Sequence, residues 1–156
     1  MEPRAVLVLI VHLALFVVGC RLVVIDIHSH RLPDRIVLPT LAALLVLTAV
    51  DALVSGESAR LTGAAFGMAI LGGFYAALRL LSREGMGGGD VKLAAVIGLV
   101  LGWHGWQALA VGAASAFVLG ALHALALMAS RRADGSTRIA FGPWMITGAM
   151  IGIIVG

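Results

Sequence analysis

The 156-residue chain fits a single domain, residues 1–156, and its composition excludes an ordinary soluble one. It is 61% hydrophobic and 12% charged, against about 25% charged in a domain whose surface faces water. Its formal charge of +3 comes from basic residues scattered between apolar runs, with no basic stripe on an amphipathic face. The expected partner is therefore a lipid bilayer and not nucleic acid.

Hydropathy and chain breakers mark six apolar stretches, roughly 5–25, 36–54, 61–81, 91–103, 108–129 and 139–155. Backbone polar groups cannot be left unpaired in lipid, so all six should be helices, giving an all-α, six-helix membrane bundle. The regions around the loops from stretch one to two, three to four and five to six carry Arg21, Arg31, Arg35, Arg79, Arg83, Lys92, Arg131, Arg132 and Arg138. Arg4 and Arg60 stand on the opposite face. An excess of basic residues marks the cytoplasmic side, which predicts both termini outside the cytoplasm.

Near the end of the first stretch, Val17-Val18-Gly19-Cys20 has the look of a lipoprotein cleavage site. Cleavage there would export the basic face, so the charge pattern opposes it. A single cysteine supplies neither an internal disulfide nor a zinc ribbon.

Small residues recur four apart: Gly63 with Gly67, then Gly112, Ala116 and Gly120, then Gly148, Gly152 and Gly156. That spacing lets helix backbones approach closely and predicts a compact bundle. The fourth stretch is short, about 20 Å of helix against a hydrocarbon core of about 30 Å. Either it continues through His104 and Trp106, or its start is sunk into a recess with Asp90 and the preceding glycines.

Two polar clusters share the basic face. One runs from Asp26 to Asp34, the other from Gly85 to Lys92. Asp90 reads equally well as a helix cap or as a functional acid beside glycines that let a substrate strand approach. Asp26 closes an apolar helix, where the helix dipole disfavours a carboxylate. A salt bridge to Arg21, Arg31 or Arg35 is the plain explanation, and a functional acid is the alternative. Two carboxylates meeting at a water divide labour, one as acid and one as base.

The neighbours are less telling. Asp34 after Pro33 reads as a turn or helix-start residue. His28 and His30 lack a third ligand, so no metal is expected there. Asp51 should reach the interface, while His12 and His123 should pack or hydrogen-bond within their spans. Lys92 either tunes Asp90 or anchors its helix.

These residues resemble the type IV prepilin peptidases, membrane aspartic proteases with a Gly-x-Gly-Asp motif. The motif stands here as Gly87-Gly88-Gly89-Asp90. A second similarity runs from Asp26 through Leu32-Pro33-Asp34 to Leu38-Pro39-Thr40, and a third is Phe141-Gly142-Pro143-Trp144. The resemblance implies a catalytic pair Asp26 and Asp90, supported by Gly87, Gly89 and Lys92, without metal or cofactor. It implies cleavage of leaders from pilin-like precursors at the cytoplasmic face of the bacterial inner membrane, with pilus or secretion machinery as further partners. The family's cysteine-bearing N-terminal extension has no counterpart here, so the chain resembles the short form and methyltransferase activity is not expected. Rival readings are a small proton- or cation-coupled transporter using Asp26 and Asp90, and a non-catalytic assembly subunit.

Overall fold

The computed structural model describes residues 3–29, 31–81, 87–130 and 140–156. His30, Arg83, Gly85, Met86, Arg131, Arg132, Arg138 and the first residue of the sixth stretch lie outside them. The described residues form six helices and no strand: α1 Pro3–Ser29, α2 Asp34–Ser55, α3 Ser58–Leu81, α4 Gly88–His104, α5 Trp106–Ala129 and α6 Gly142–Val155. Each apolar stretch is thus a helix. Four of them (α1 from Arg4, α2, α3 and α5) are long and apolar enough to cross a membrane. Their outward residues suit lipid: Leu53, Val54 and Leu81 are 83%, 84% and 85% exposed, an arrangement that water would penalise.

The two remaining helices are short. With 17 residues in α4 and 14 in α6, they extend about 25 and 21 Å. Helix α4 includes His104 but not Trp106. Gly105 adopts φ 128°, and Trp106 opens α5 directly after it. The last helix begins at Gly142, later than hydropathy suggested, because Pro143 sits in its first turn, where a missing N–H costs nothing.

Helix α4 is the centre of the bundle and packs on α2, α3, α5 and α6. Ala94, Leu99 and Leu101 are almost fully buried. Glycines set its closest approach. A Cβ on Gly63 would stand 2.6 Å from the Gly102 carbonyl oxygen, and one on Gly98 would meet the Gly67 carbonyl. A second seam joins α5 to α6, where a Cβ on Gly148 would lie 2.6 Å from both the Ala116 nitrogen and the Gly112 oxygen. The small residues four apart therefore form two seams, α3–α4 and α5–α6, as their spacing predicted.

At the far end from the aspartates, Arg4 binds both Asp51 carboxylate oxygens at 3.0 and 2.8 Å and Glu57 at 3.0 Å. Glu57 also pairs with Arg60 at 2.8 Å. The hydrogen bond from Arg4 holds the Glu57 carboxyl below the usual carboxylate range. This cluster ties the start of α1 to the α2–α3 turn.

The seams predict a contrast between two glycines. Gly98→Ala forces a methyl group against the Gly67 carbonyl and should cost about 1–3 kcal/mol. Gly73→Ala meets nothing within 4 Å and should leave stability unchanged or slightly raised. Thermal unfolding of both variants in detergent micelles checks the contrast.

Candidate active site

Asp26 lies one turn before the end of α1 and is 4% exposed. Its Oδ2 accepts a hydrogen bond from the Gly142 backbone N–H at 3.0 Å. That amide is among the first of α6, whose free N–H groups and dipole favour an anion. The carboxylate that is disfavoured by its own helix is thus held by the start of another. A Cβ at position 142 would stand 2.5 Å from Asp26 Oδ2, so glycine there is a steric requirement. Phe141, immediately before it, packs against Phe117 and Tyr75 with ring centroids 5.6 and 6.2 Å apart. Its ring occupies the space a Cβ on Gly120 would need.

Asp90 is in the first turn of α4 and half-buried. Its Oδ2 accepts from the Gly87 N–H at 3.2 Å, so Asp90 does cap its helix in the manner of a capping-box acid. A Cβ on Gly89 would lie 2.6 Å from Leu32 Cβ. The Gly-x-Gly-Asp segment therefore packs directly on the Leu32-Pro33-Asp34 segment. A further link is the Lys92–Asp34 ion pair at 2.6 Å. Asp34 opens α2 after Pro33, as a helix-start residue should. Lys92 is engaged with this residue at the helix start.

The two acids converge on one end of the bundle. His12 of α1 meets His104 of α4 at 3.1 Å, and from that contact Asp26 and Asp90 are each 14 residues along oppositely running helices, about 21 Å. Equal steps bring them to the same level. Tyr75 of α3, whose ring packs against Phe141, is a buried residue that reading along the chain passed over. It is the only tyrosine, and a phenol on an apolar helix signals a polar neighbourhood. The Gly142 amide was missed for another reason, since backbone donors leave no mark in sequence. Beside α1 runs an apolar cavity of about 580 Å³, lined by Leu15, Leu22, Val37, Leu93, Ile97 and Ile146 among others, and reaching Val24, two residues before Asp26.

The other candidates are elsewhere. His28 is exposed and bonds the Val24 carbonyl at 2.8 Å. Asp51 is bound to Arg4, and His123 lies against Trp144, ring centroids 4.8 Å apart. Among the described residues no three His, Cys, Asp or Glu side chains are grouped for a metal.

Comparison with known proteins gives consistent matches. The type IV leader peptidase family matches residues 8–130, which include Asp26 and Asp90 but stop before Gly142. The prepilin leader peptidase/N-methyltransferase of Stutzerimonas stutzeri is 34% identical over 133 residues, 85% of this chain and 45% of the relative. That of Dickeya chrysanthemi is 36% identical over 135 residues, covering 86% and 46%. That of Escherichia coli (strain K12) is 37% identical over 144 residues, covering 90% and 62%. The chain thus spans about half the length of the curated relatives it matches. No solved structure matches it.

The contacts predict unequal sensitivities. Gly142→Ala drives a methyl group into Asp26 and should cost about 1–3 kcal/mol. Lys92→Gln removes an exposed ion pair and should cost less than about 1 kcal/mol. Denaturant or thermal unfolding in micelles measures both.

Proposed function

The chain belongs to the type IV leader peptidase family, and from that premise we propose that it is an aspartic endopeptidase acting on prepilin-like precursors. It removes their short leader at the cytoplasmic face of the bacterial inner membrane, with Asp26 and Asp90 as the catalytic pair. The observation that carries this reading is that both acids lie at the same end of α1 and α4, each accepting a hydrogen bond from a backbone amide of a glycine.

In this reading the pair shares one proton, which belongs to the dyad and to neither residue alone. The ionised carboxylate takes a proton from water as the oxygen attacks the scissile carbonyl carbon. The other carboxyl gives its proton to the carbonyl oxygen, and a tetrahedral diol forms. The diol then collapses: the carboxyl that took the water's proton gives it to the leaving nitrogen, the ionised carboxylate takes a proton from a diol hydroxyl, the C–N bond breaks, and the new carboxyl and amino termini separate. Gly142 fixes one carboxylate and Gly87 the other through backbone N–H donors. Gly87 leaves the Asp90 carboxylate uncovered by a side chain, and Gly89 lets the Leu32 segment pack against the loop. Lys92 supports the site through Asp34, by joining the start of α2 to the first turn of α4.

The orientation follows from charge. The end bearing the aspartates also bears Arg21, Arg31, Arg35, Arg79 and Lys92, which favours the cytoplasmic side. The relatives' printed name joins a peptidase to a methyltransferase, and the proposal concerns the first activity. An ion pathway is less favoured, since the matched relatives are named as peptidases.

Co-expression with a candidate prepilin tests the proposal. Asp26→Asn and Asp90→Asn keep size and one acceptor oxygen, so both proteins should insert normally. Leader removal, read as a mobility shift or by mass spectrometry of the precursor, should fall at least about 100-fold in each. Normal processing by either variant would sink the reading.

A further inference from the structure

At the opposite end of the α1–α4 pair, two histidines 92 residues apart meet with Nε2 atoms 3.1 Å apart. Their rings are nearly perpendicular, at 86° with centroids 5.1 Å apart. The other nitrogen of each ring is already committed. His12 Nδ1 lies 2.7 Å from the Val8 carbonyl oxygen and His104 Nδ1 lies 2.8 Å from that of Val100. A carbonyl oxygen only accepts, so both Nδ1 atoms carry the hydrogen. A neutral imidazole with its hydrogen on Nδ1 presents a bare lone pair at Nε2. The two Nε2 atoms are therefore at hydrogen-bond distance with no hydrogen between them, which is repulsive unless they share a cation.

We propose that His12 and His104 form a two-imidazole binding site for a divalent transition-metal ion of the zinc class. The distances agree with this. Two Zn–N bonds of about 2.0–2.1 Å meeting at roughly 100°, near the tetrahedral angle, place the nitrogens about 3.1 Å apart. A ligating histidine usually donates its second ring N–H to a backbone carbonyl or a carboxylate, and both rings here do so. Imidazole suits zinc, copper and nickel, whereas magnesium and calcium prefer oxygen.

The surroundings supply room and charge balance. Both histidines line a cavity of about 70 Å³ with Thr48, Asp51, Trp103 and Leu44. One water occupies about 10–15 Å³ on this measure, so there is space for waters to complete the coordination. The charged groups around it are Arg4, Asp51, Glu57 and Arg60, two of each sign. Asp51 is held by Arg4 through both oxygens and serves as a nearby negative charge, not as a ligand. His104 is exposed and gives an ion a way in. A proton shared between the two Nε2 atoms is the competing cation, and neutral imidazoles are the form that a metal requires.

The test uses the full chain purified in detergent micelles without a histidine tag. Zn²⁺ is titrated by calorimetry, and Co²⁺ is read by its visible absorption. One ion per chain should bind, with affinity at least about tenfold weaker in His12→Gln and in His104→Gln, and unchanged in His28→Gln. Zn²⁺ should also protect His12 and His104, but not His28, from carbethoxylation in the unmutated protein, a readout that holds even if a variant folds poorly. Absence of stoichiometric binding overturns the site, as does binding that both variants retain or protection that spares neither histidine. Histidine resonances showing one proton shared between the two rings, with no response to Zn²⁺, also overturn it.

Discussion

A carboxylate taken out of water costs several kcal/mol unless its oxygens are hydrogen-bonded, and Asp26 is 4% exposed. Its own helix offers no help, because the C-terminal end of α1 is the negative end of a dipole. The stabilising partner is the free Gly142 amide at the start of α6. Much of the architecture follows from that bond. Position 142 must lack a Cβ, Pro143 must start the helix without wasting a needed donor, and Phe141 must be seated so that the amide points inward. Phe141 is seated by the space above Gly120, which belongs to the same small-residue seam that clamps α5 to α6. The Phe141-Gly142-Pro143 run is thus a device for holding an acid on a different helix.

The second acid is placed by another route. In lipid there is no hydrophobic gain from bringing helices together, so packing depends on close backbone contact and on polar links. Gly63, Gly67, Gly98 and Gly102 give α3 and α4 that contact. The result is a short, buried α4 enclosed by four neighbours. Its first turn is half-buried, and Gly89 lets Leu32 approach so closely that the start of α2 and the start of α4 become one unit. Lys92 and Asp34 close that unit with an exposed pair, whose worth is positional more than energetic.

What could be read along the chain was what has a period or a local chemistry. Six apolar runs became six helices, and small residues four apart became two seams. The short fourth run was a true sign of a short central helix. Asp90 carried two readings, cap and functional acid, and the structure gives it the cap at the same end of the bundle as Asp26. The start of α6 was placed too early because hydropathy cannot see that Pro143 and the Asp26 bond define the first turn. The partners of Asp26, Lys92 and His12 are 116, 58 and 92 residues away. Nothing local to any of these residues announces such a contact, and one of the donors is a main-chain amide.

Helix α1 therefore has an unusual mechanical position. It carries Asp26, yet its packing is chiefly on α6, and an apolar cavity of about 580 Å³ separates much of its length from α2 and α4. Polar contacts hold it near both ends: Arg4 to Asp51 and Glu57 at one, and Asp26 to Gly142 at the other. Stability is distributed unevenly in proteins, and segments with few buried apolar contacts open at the lowest cost. The middle of α1 has that character, while its ends are fixed by charged or hydrogen-bonded groups that a low-dielectric setting strengthens. The α6 amide is thus one of the groups that fix the position of Asp26. A bundle built this way can hold its acid in register with Asp90 while leaving an apolar opening beside it.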